Sequence, residues 1–92
     1  MLEWMVEQYF VNRVRKAGGR AYKLKFLSVA GAPDRLVFLP NGRMHLVELK
    51  RPKGGRLEPR QGRLHRLLAE LGSPVILLHT KEQVDAWLLT LE

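Results

Sequence analysis

The stretch from Arg35 to Lys50, "RLVFLPNGRMHLVELK", constrains the fold more than any other part of the chain. Two apolar, strand-like runs flank Pro-Asn-Gly, a combination that closes a β-hairpin and so decides which side chains meet across it. A two-residue Asn41-Gly42 loop would pair Pro40 with Arg43 and put Asp34 on the opposite side of the sheet from Glu48. A three-residue Pro40-Asn41-Gly42 loop, a type I turn followed by a left-handed glycine, pairs Leu39 with Arg43, Phe38 with Met44 and Leu36 with Leu46. The longer loop is preferred because Pro40 has no N–H to donate to a ladder. One face then carries Leu36, Phe38, Met44 and Leu46, and continues into Asp34 and, directly across from it, Glu48. Lys50, two residues beyond Glu48, shares that face.

The remaining elements follow from periodicity. Val6, Phe10, Val14 and Ala17 recur at three- and four-residue spacing, which predicts a helix over 2–17, ended by Gly18-Gly19. In "RAYKLKFL", residues 20–27, Tyr22, Leu24 and Phe26 alternate with Lys23 and Lys25, the pattern of a half-buried strand. Those lysines either extend a basic surface or solvate an edge strand. After the loop 51–57, Pro59 suits the first turn of a second helix, with Leu64, Leu67, Leu68 and Leu71 as its buried stripe and Gly72 as its cap. "PVILLH" is a continuously apolar strand of the kind covered on both faces. Thr80 opens a last helix, Gln83 completes a capping box, and Val84, Trp87, Leu88 and Leu91 form the apolar stripe. The order α-β-β-β-α-β-α predicts one α/β domain over residues 1–92, a small mixed sheet flanked by helices.

Composition narrows the class. With 92 residues and 46% hydrophobic content, the chain can build one modest core, and dimerisation would help at this size. The absence of cysteine excludes a disulfide framework and a thiolate metal site. No apolar run approaches the roughly 20 residues of a membrane span, and the N-terminus lacks the layout of a signal peptide. A cytoplasmic protein is the expectation. The net charge is +7, and between Lys50 and Arg66 seven basic residues accompany one acid, Glu58. Such a run is either a solvated face or a surface that attracts a phosphate backbone. Its place beside Glu48 and Lys50 favours nucleic acid.

Asp34, Glu48 and Lys50 make a chemical set. Opposed cross-strand residues have Cβ atoms roughly 4.5–5.5 Å apart, and two carboxylates that close repel unless a proton or a cation lies between them. Oxygen ligands suit a hard cation, Mg²⁺, Mn²⁺ or Ca²⁺, which activates water and polarises a phosphoryl oxygen. Lys50 is placed to orient the attacking water or to offset charge on the phosphate. The competing reading is a structural ion pair, Glu48 with Lys50 or Asp34 with Arg35, at a sheet edge.

"PD" at Pro33-Asp34 and "ELK" at Glu48-Leu49-Lys50 resemble the PD-(D/E)xK nuclease signature. The run "GAPD" followed by "ELKRPKGGRLEPRQ" is similar to the VRR-NUC (virus-type replication-repair nuclease) branch, whose members also carry a glutamate in the first helix, where Glu7 of "MVEQYF" stands. The resemblance implies a restriction-endonuclease-like core and Mg²⁺-dependent hydrolysis of DNA phosphodiesters, with Mn²⁺ able to substitute. It implies that Asp34 and Glu48 hold the metal with the Leu49 backbone carbonyl as a further ligand, and that Lys50 is the catalytic lysine. Glu7 would support the metal site, and Gln61 would reach it from the second helix to hold Lys50 or the water. A phage or mobile-element origin follows from stand-alone members of the branch, and with it the host-cell cytoplasm. Holliday-junction resolvases share the fold, which points to a homodimer and to branched, four-way DNA read by shape.

Read from the residues alone, several positions stay open. Glu7 sits among Phe10, Val11 and Val14 and needs a partner, either the metal site or a structural Arg or Lys. Gln61 in a first helical turn is ordinarily solvent-facing. His65, one turn on, either lines the cleft or is a plain surface or core histidine, and His45 and His79 show no metal-ligand spacing. Arg51, Lys53, Arg56, Arg60, Arg63 and Arg66 are candidates for phosphate contacts, with Arg60 and Arg63 the best placed. Gly54-Gly55, and Gly31 with Ala32, either let backbone approach DNA closely or simply make loops flexible. Two other classes compete with a structure-specific nuclease: a basic module that binds nucleic acid without cutting it, and a restriction-type endonuclease.

Overall fold

A computed structural model describes all 92 residues. Helix α1 spans Glu3–Lys16, strand β1 Arg20–Lys23, strand β2 Arg35–Leu39, strand β3 Arg43–Leu49, helix α2 Pro59–Glu70, strand β4 Val75–Leu78 and helix α3 Lys81–Thr90. The expected order α-β-β-β-α-β-α holds. The four strands lie in the order β1-β2-β3-β4, antiparallel except for the parallel β3·β4 pair, so the sheet is mixed.

The hairpin has the three-residue register: Leu39 faces Arg43, Phe38 faces Met44 and Leu36 faces Leu46. Its backbone differs from a type I turn. Gly42 is left-handed at φ 74°, but so is Asn41 at φ 69°, ψ 28°. Asparagine tolerates that region better than other side-chain-bearing residues, so two left-handed residues in sequence reverse the chain.

Eleven buried residues form the core, all between the sheet and the pair α1 and α3. Val6, Phe10 and Val14 come from α1, Ala21, Val37, Leu39, Val47, Leu49 and Leu78 from the strands, and Val84 and Leu88 from α3. Helix α1 ends in a Schellman-type cap: Gly19 N–H donates to the Val14 carbonyl and Gly18, at φ 89°, donates to Arg15. Gly19 is needed for contact, because a Cβ there would lie 2.3 Å from the Phe38 carbonyl oxygen. Thr80 caps α3 by accepting from the Gln83 N–H. Gln83 closes its half of the box one residue early, accepting from the His79 N–H rather than from that of Thr80.

Three expectations about burial are corrected. Strand β1 stops at Lys23, and the residue it buries is Ala21, whereas Tyr22 is largely exposed. The alternation of large residues is real, but α1 lies so close over β1 that only the small phase fits beneath it. No residue of α2 is buried; Leu67 and Leu71 of its apolar stripe remain 49% and 71% exposed. Strand β4 is an edge strand with Leu77 exposed, not one covered on both faces. All three corrections have one cause: the sheet is fully covered on the α1/α3 side and only partly covered on the α2 side.

Candidate active site

Asp34 is the next residue beyond the last β2·β3 pair, Arg35 opposite Val47, and the register carries it to Glu48. There the ladder gives way to side chains. The Asp34 N–H donates to Glu48 Oε1 at 3.1 Å, and the Leu49 N–H donates to Asp34 Oδ2 at 2.9 Å. Each strand thus orients the other strand's carboxylate through a backbone amide. Buried Pro33 anchors the loop leading in, and on the far side the Leu24 N–H donates to the Asp34 carbonyl at 3.0 Å.

Glu48 is fully buried. Its second oxygen, Oε2, accepts from Gln61 Nε2 at 3.0 Å and lies 3.3 Å from Lys50 Nζ. Burial, seconded by the Asp34 charge, raises the Glu48 carboxyl to about 7, while Lys50 and Gln61 oppose the rise. The carboxyl therefore holds its proton mainly because it is cut off from water. Lys50 itself is held at the end of β3 by its N–H, which donates to the Leu78 carbonyl of β4.

Gln61 does two jobs with one amide. It is the N3 residue of α2, and its Oε1 accepts from the Glu58 N–H at 3.1 Å, half of a capping box with Glu58 at the N-cap. That bond fixes the side chain so that Nε2 points at Glu48. Gln61 therefore reaches the site, as the resemblance implied, but it holds Glu48 rather than Lys50.

Glu7 does not join the two acids. Its Oε1 accepts from Arg35 Nη2 at 2.5 Å and from Nε at 3.2 Å, while Arg35 Nη1 reaches the Ala21 carbonyl. Of the two readings the sequence left open, the structural arginine is the one observed, and no third carboxylate, histidine or cysteine completes a cluster with Asp34 and Glu48. Glu7 nonetheless borders the same cleft as Lys50. An ion such as Mg²⁺ fits the donor set that remains: it takes one or two carboxylates and keeps several waters.

The glycines serve the protein's own packing. A Cβ on Gly31, which is left-handed, would lie 2.8 Å from the Arg60 carbonyl oxygen, so the loop before Asp34 is seated directly on the first turn of α2. A Cβ on Gly55 would lie 2.6 Å from the Arg51 carbonyl oxygen and 2.9 Å from Lys50 Cβ. The sequence left open close approach to DNA or plain loop flexibility at these positions; the contacts observed are with the chain's own backbone and position Asp34 and Lys50. His65 is half-buried near this loop, its ring lowered in basicity by burial, and its Nε2 is buried without a partner. His45 packs edge-on against Trp87, and His79 Nδ1 lies 3.3 Å from the Arg51 carbonyl.

Arg51, Lys53, Arg56, Arg60, Arg63 and Arg66 are all exposed and none forms an ion pair. By contrast Arg13 and Arg35 are tied to Asp85 and Glu7. Four of the six line one of two grooves. Arg51 and Arg56 line a cleft of about 560 Å³ with Lys50 and Glu7, whereas Arg60 and Arg63 line a separate groove with Val29, Ala30, Leu64 and Leu67. The arginines that share a cleft with Lys50 are therefore Arg51 and Arg56. No helix is long and apolar enough to cross a membrane.

No protein-family model matches the sequence. The chain is 46% identical over 77 residues to "Putative nuclease p44" of Acyrthosiphon pisum secondary endosymbiont phage 1, over 84% of this chain and 82% of that protein. Its fold superposes on a solved structure described as "VRR_NUC domain" with a TM-score of 0.87 and 34% identity, covering 94% of this chain and 92% of that one.

Proposed function

Because the chain belongs to the VRR-NUC family of nucleases, we propose that it is a Mg²⁺-dependent, structure-specific endodeoxyribonuclease that acts on branched DNA, four-way junctions foremost. The observation that carries this reading is the convergence of Asp34, Lys50 and Gln61 on the buried Glu48. A structural ion pair needs neither a second carboxylate opposite the first nor a glutamine aimed at it.

Asp34 and Glu48 are the residues that would hold Mg²⁺, or Mn²⁺ in its place, with the Leu49 carbonyl as a further ligand. Bound there, the ion would supply Lewis-acid activation of water and of a phosphoryl oxygen. The chain's own residues do the rest. The Leu49 and Asp34 amides keep both carboxylates in place, and Gln61 stops Glu48 from rotating away. Lys50, whose ammonium lies 3.3 Å from Glu48 Oε2, would orient the attacking water and offset charge on the phosphate. Glu7 acts at one remove, holding Arg35 and through it the start of β2 next to Asp34. Arg51, Lys53, Arg56, Arg60, Arg63 and Arg66 supply phosphate contacts.

A homodimer accompanies this reading. Tyr22, Phe38 and Met44 leave an apolar, exposed area on the open sheet face, and a second copy seated on it would give two active sites for the two strands of a junction.

The test is cleavage of labelled four-way, flap and linear duplex DNA with Mg²⁺, with EDTA and with Lys50→Ala. Junction cleavage that needs the metal and falls by about a thousandfold in Lys50→Ala is expected, the size of a lost electrostatic contact to the reacting group. Cleavage in EDTA, or full activity in Lys50→Ala, would defeat the proposal. Salt-sensitive binding with no cutting under any divalent metal would make the chain a binding module.

A further inference from the structure

The cleft that holds Lys50 has one wall the phosphodiester chemistry does not use. Trp4, in the first turn of α1, lines it and remains 58% exposed. Its other lining groups include Arg51 and Arg56, both unpaired, and the acids Glu3 and Glu7, of which Glu7 is taken by Arg35. Trp4 stands one helical turn before Glu7, on the same side of α1, and the Glu7–Arg35 pair ties that side to β2. The indole is thus carried on a fixed support. The other tryptophan, Trp87, behaves quite differently: it stacks on Phe10 at 5.9 Å and belongs to the core boundary.

An exposed indole that lines one groove with free arginines and the candidate catalytic lysine matches the chemistry of an unpaired nucleotide. The base offers a π-face to the ring and its phosphate offers charge to the guanidinium groups. A base inside a duplex is stacked on its neighbours and has no face to give. We infer that Trp4 is a stacking platform for an unpaired nucleobase adjacent to the scissile phosphate, so that the preferred substrate carries single-stranded or splayed nucleotides, as at a flap or the centre of a junction. This rests on the nuclease reading for the position of the scissile phosphate, but the stacking itself can be measured without catalysis.

The experiment uses the whole chain in EDTA with three probes: a short single-stranded oligodeoxynucleotide, the same strand with an abasic site, and its blunt duplex. Trp87→Phe leaves Trp4 as the sole tryptophan and keeps an aromatic ring against Phe10. The single strand should quench Trp4 fluorescence, and the abasic strand and duplex should quench it far less. Trp4→Ala should weaken single-strand binding by about 10- to 100-fold, Trp4→Phe should restore most of it, and duplex binding should hardly move. Should Trp87→Phe fail to fold, the Trp4→Ala and Trp4→Phe binding comparison in the otherwise native chain decides the matter.

Unchanged single-strand binding in Trp4→Ala overturns the inference. Equal quenching by duplex also overturns it and reduces Trp4 to a bystander of phosphate contacts. Fluorescence that shifts with protein concentration in the absence of DNA overturns it in favour of a second copy covering the ring. Metal-dependent cleavage of flaps with a KM unaltered by Trp4→Ala removes the platform and leaves the nuclease intact. Base-dependent quenching in a chain that cuts nothing supports the platform and removes the nuclease.

Discussion

On one side of the sheet Phe10, Val37, Val47 and Val84 expose no surface; on the other, Phe38, Tyr22 and Met44 expose 42%, 58% and 59% of theirs. The first side is covered by two helices that present matched apolar stripes, and its buried residues carry no charge, the Glu7–Arg35 pair being only partly buried. The second is covered by one short helix that contributes no buried residue of its own, and beneath that helix lies the fully buried Glu48. The apolar core is concentrated on the first side and the candidate active site on the second. A small domain can accept a buried carboxylate on one face because the other face carries the hydrophobic driving force.

The largest effect that would sharpen this contrast comes from two phenylalanines. Phe10→Ala should lower unfolding free energy by about 3–5 kcal/mol, and Phe38→Ala by less than about 1 kcal/mol in dilute solution, both read from urea denaturation. Similar losses at both positions would abolish the distinction between the faces. A Phe38 effect that grows with protein concentration would mean that a second copy covers the open face.

Next in size is the pH response of the charged side. Glu48 is raised to about 7 from 4.5, so the native chain keeps a proton that the unfolded chain gives up. Metal-free stability should therefore fall as pH rises from about 4.5 to about 7, by the order of 2–3 kcal/mol, and level off above that window. Measured as wild type minus Glu48→Gln in EDTA, the difference isolates this group from the general repulsion of a +7 chain. A difference that grows in favour of wild type with rising pH would refute the assignment. Added Mg²⁺ should stabilise wild type increasingly as pH passes about 7, because the cation needs the ionised carboxylate.

The smallest effect on stability separates packing from chemistry within one residue. Gln61→Ala removes half of a capping box and should cost about 1 kcal/mol, while cleavage falls by more than that loss explains. Gln61→Glu keeps an acceptor for the Glu58 N–H and so should recover most of the stability. It sets a negative charge against Glu48, and cleavage should stay low. Recovery of both together would assign Gln61 to the helix cap alone.

Much of the site was legible in the sequence because it depends on local counting. Proline cannot pair in a ladder, so the loop length of the hairpin was readable, and the register followed from it to Asp34 and Glu48. Gln61 was legible only through the family pattern, since a polar residue in a first helical turn carries no signal of what it faces. Glu7 was recognisable as a carboxylate in need of a partner, but its choice of Arg35 depends on how α1 crosses β2. The roles of Gly31 and Gly55 left no trace in the sequence, because a glycine that admits a ligand and one that admits its own backbone look alike.

By itself, then, the sequence determined the element order, the hairpin register and the pairing of two acids with a lysine on one strand face, all properties of spacing along the chain. The tertiary structure decided which face of the sheet is covered, which arginine Glu7 takes, and which cleft Lys50 shares with Trp4. Those depend on how helices seat on the sheet, and periodicity marks that a residue has an apolar side without saying what will cover it. The same limit explains the leucine stripe of α2: the spacing of Leu64, Leu67, Leu68 and Leu71 is that of a buried helix face, yet a single chain leaves Leu71 mostly in solvent.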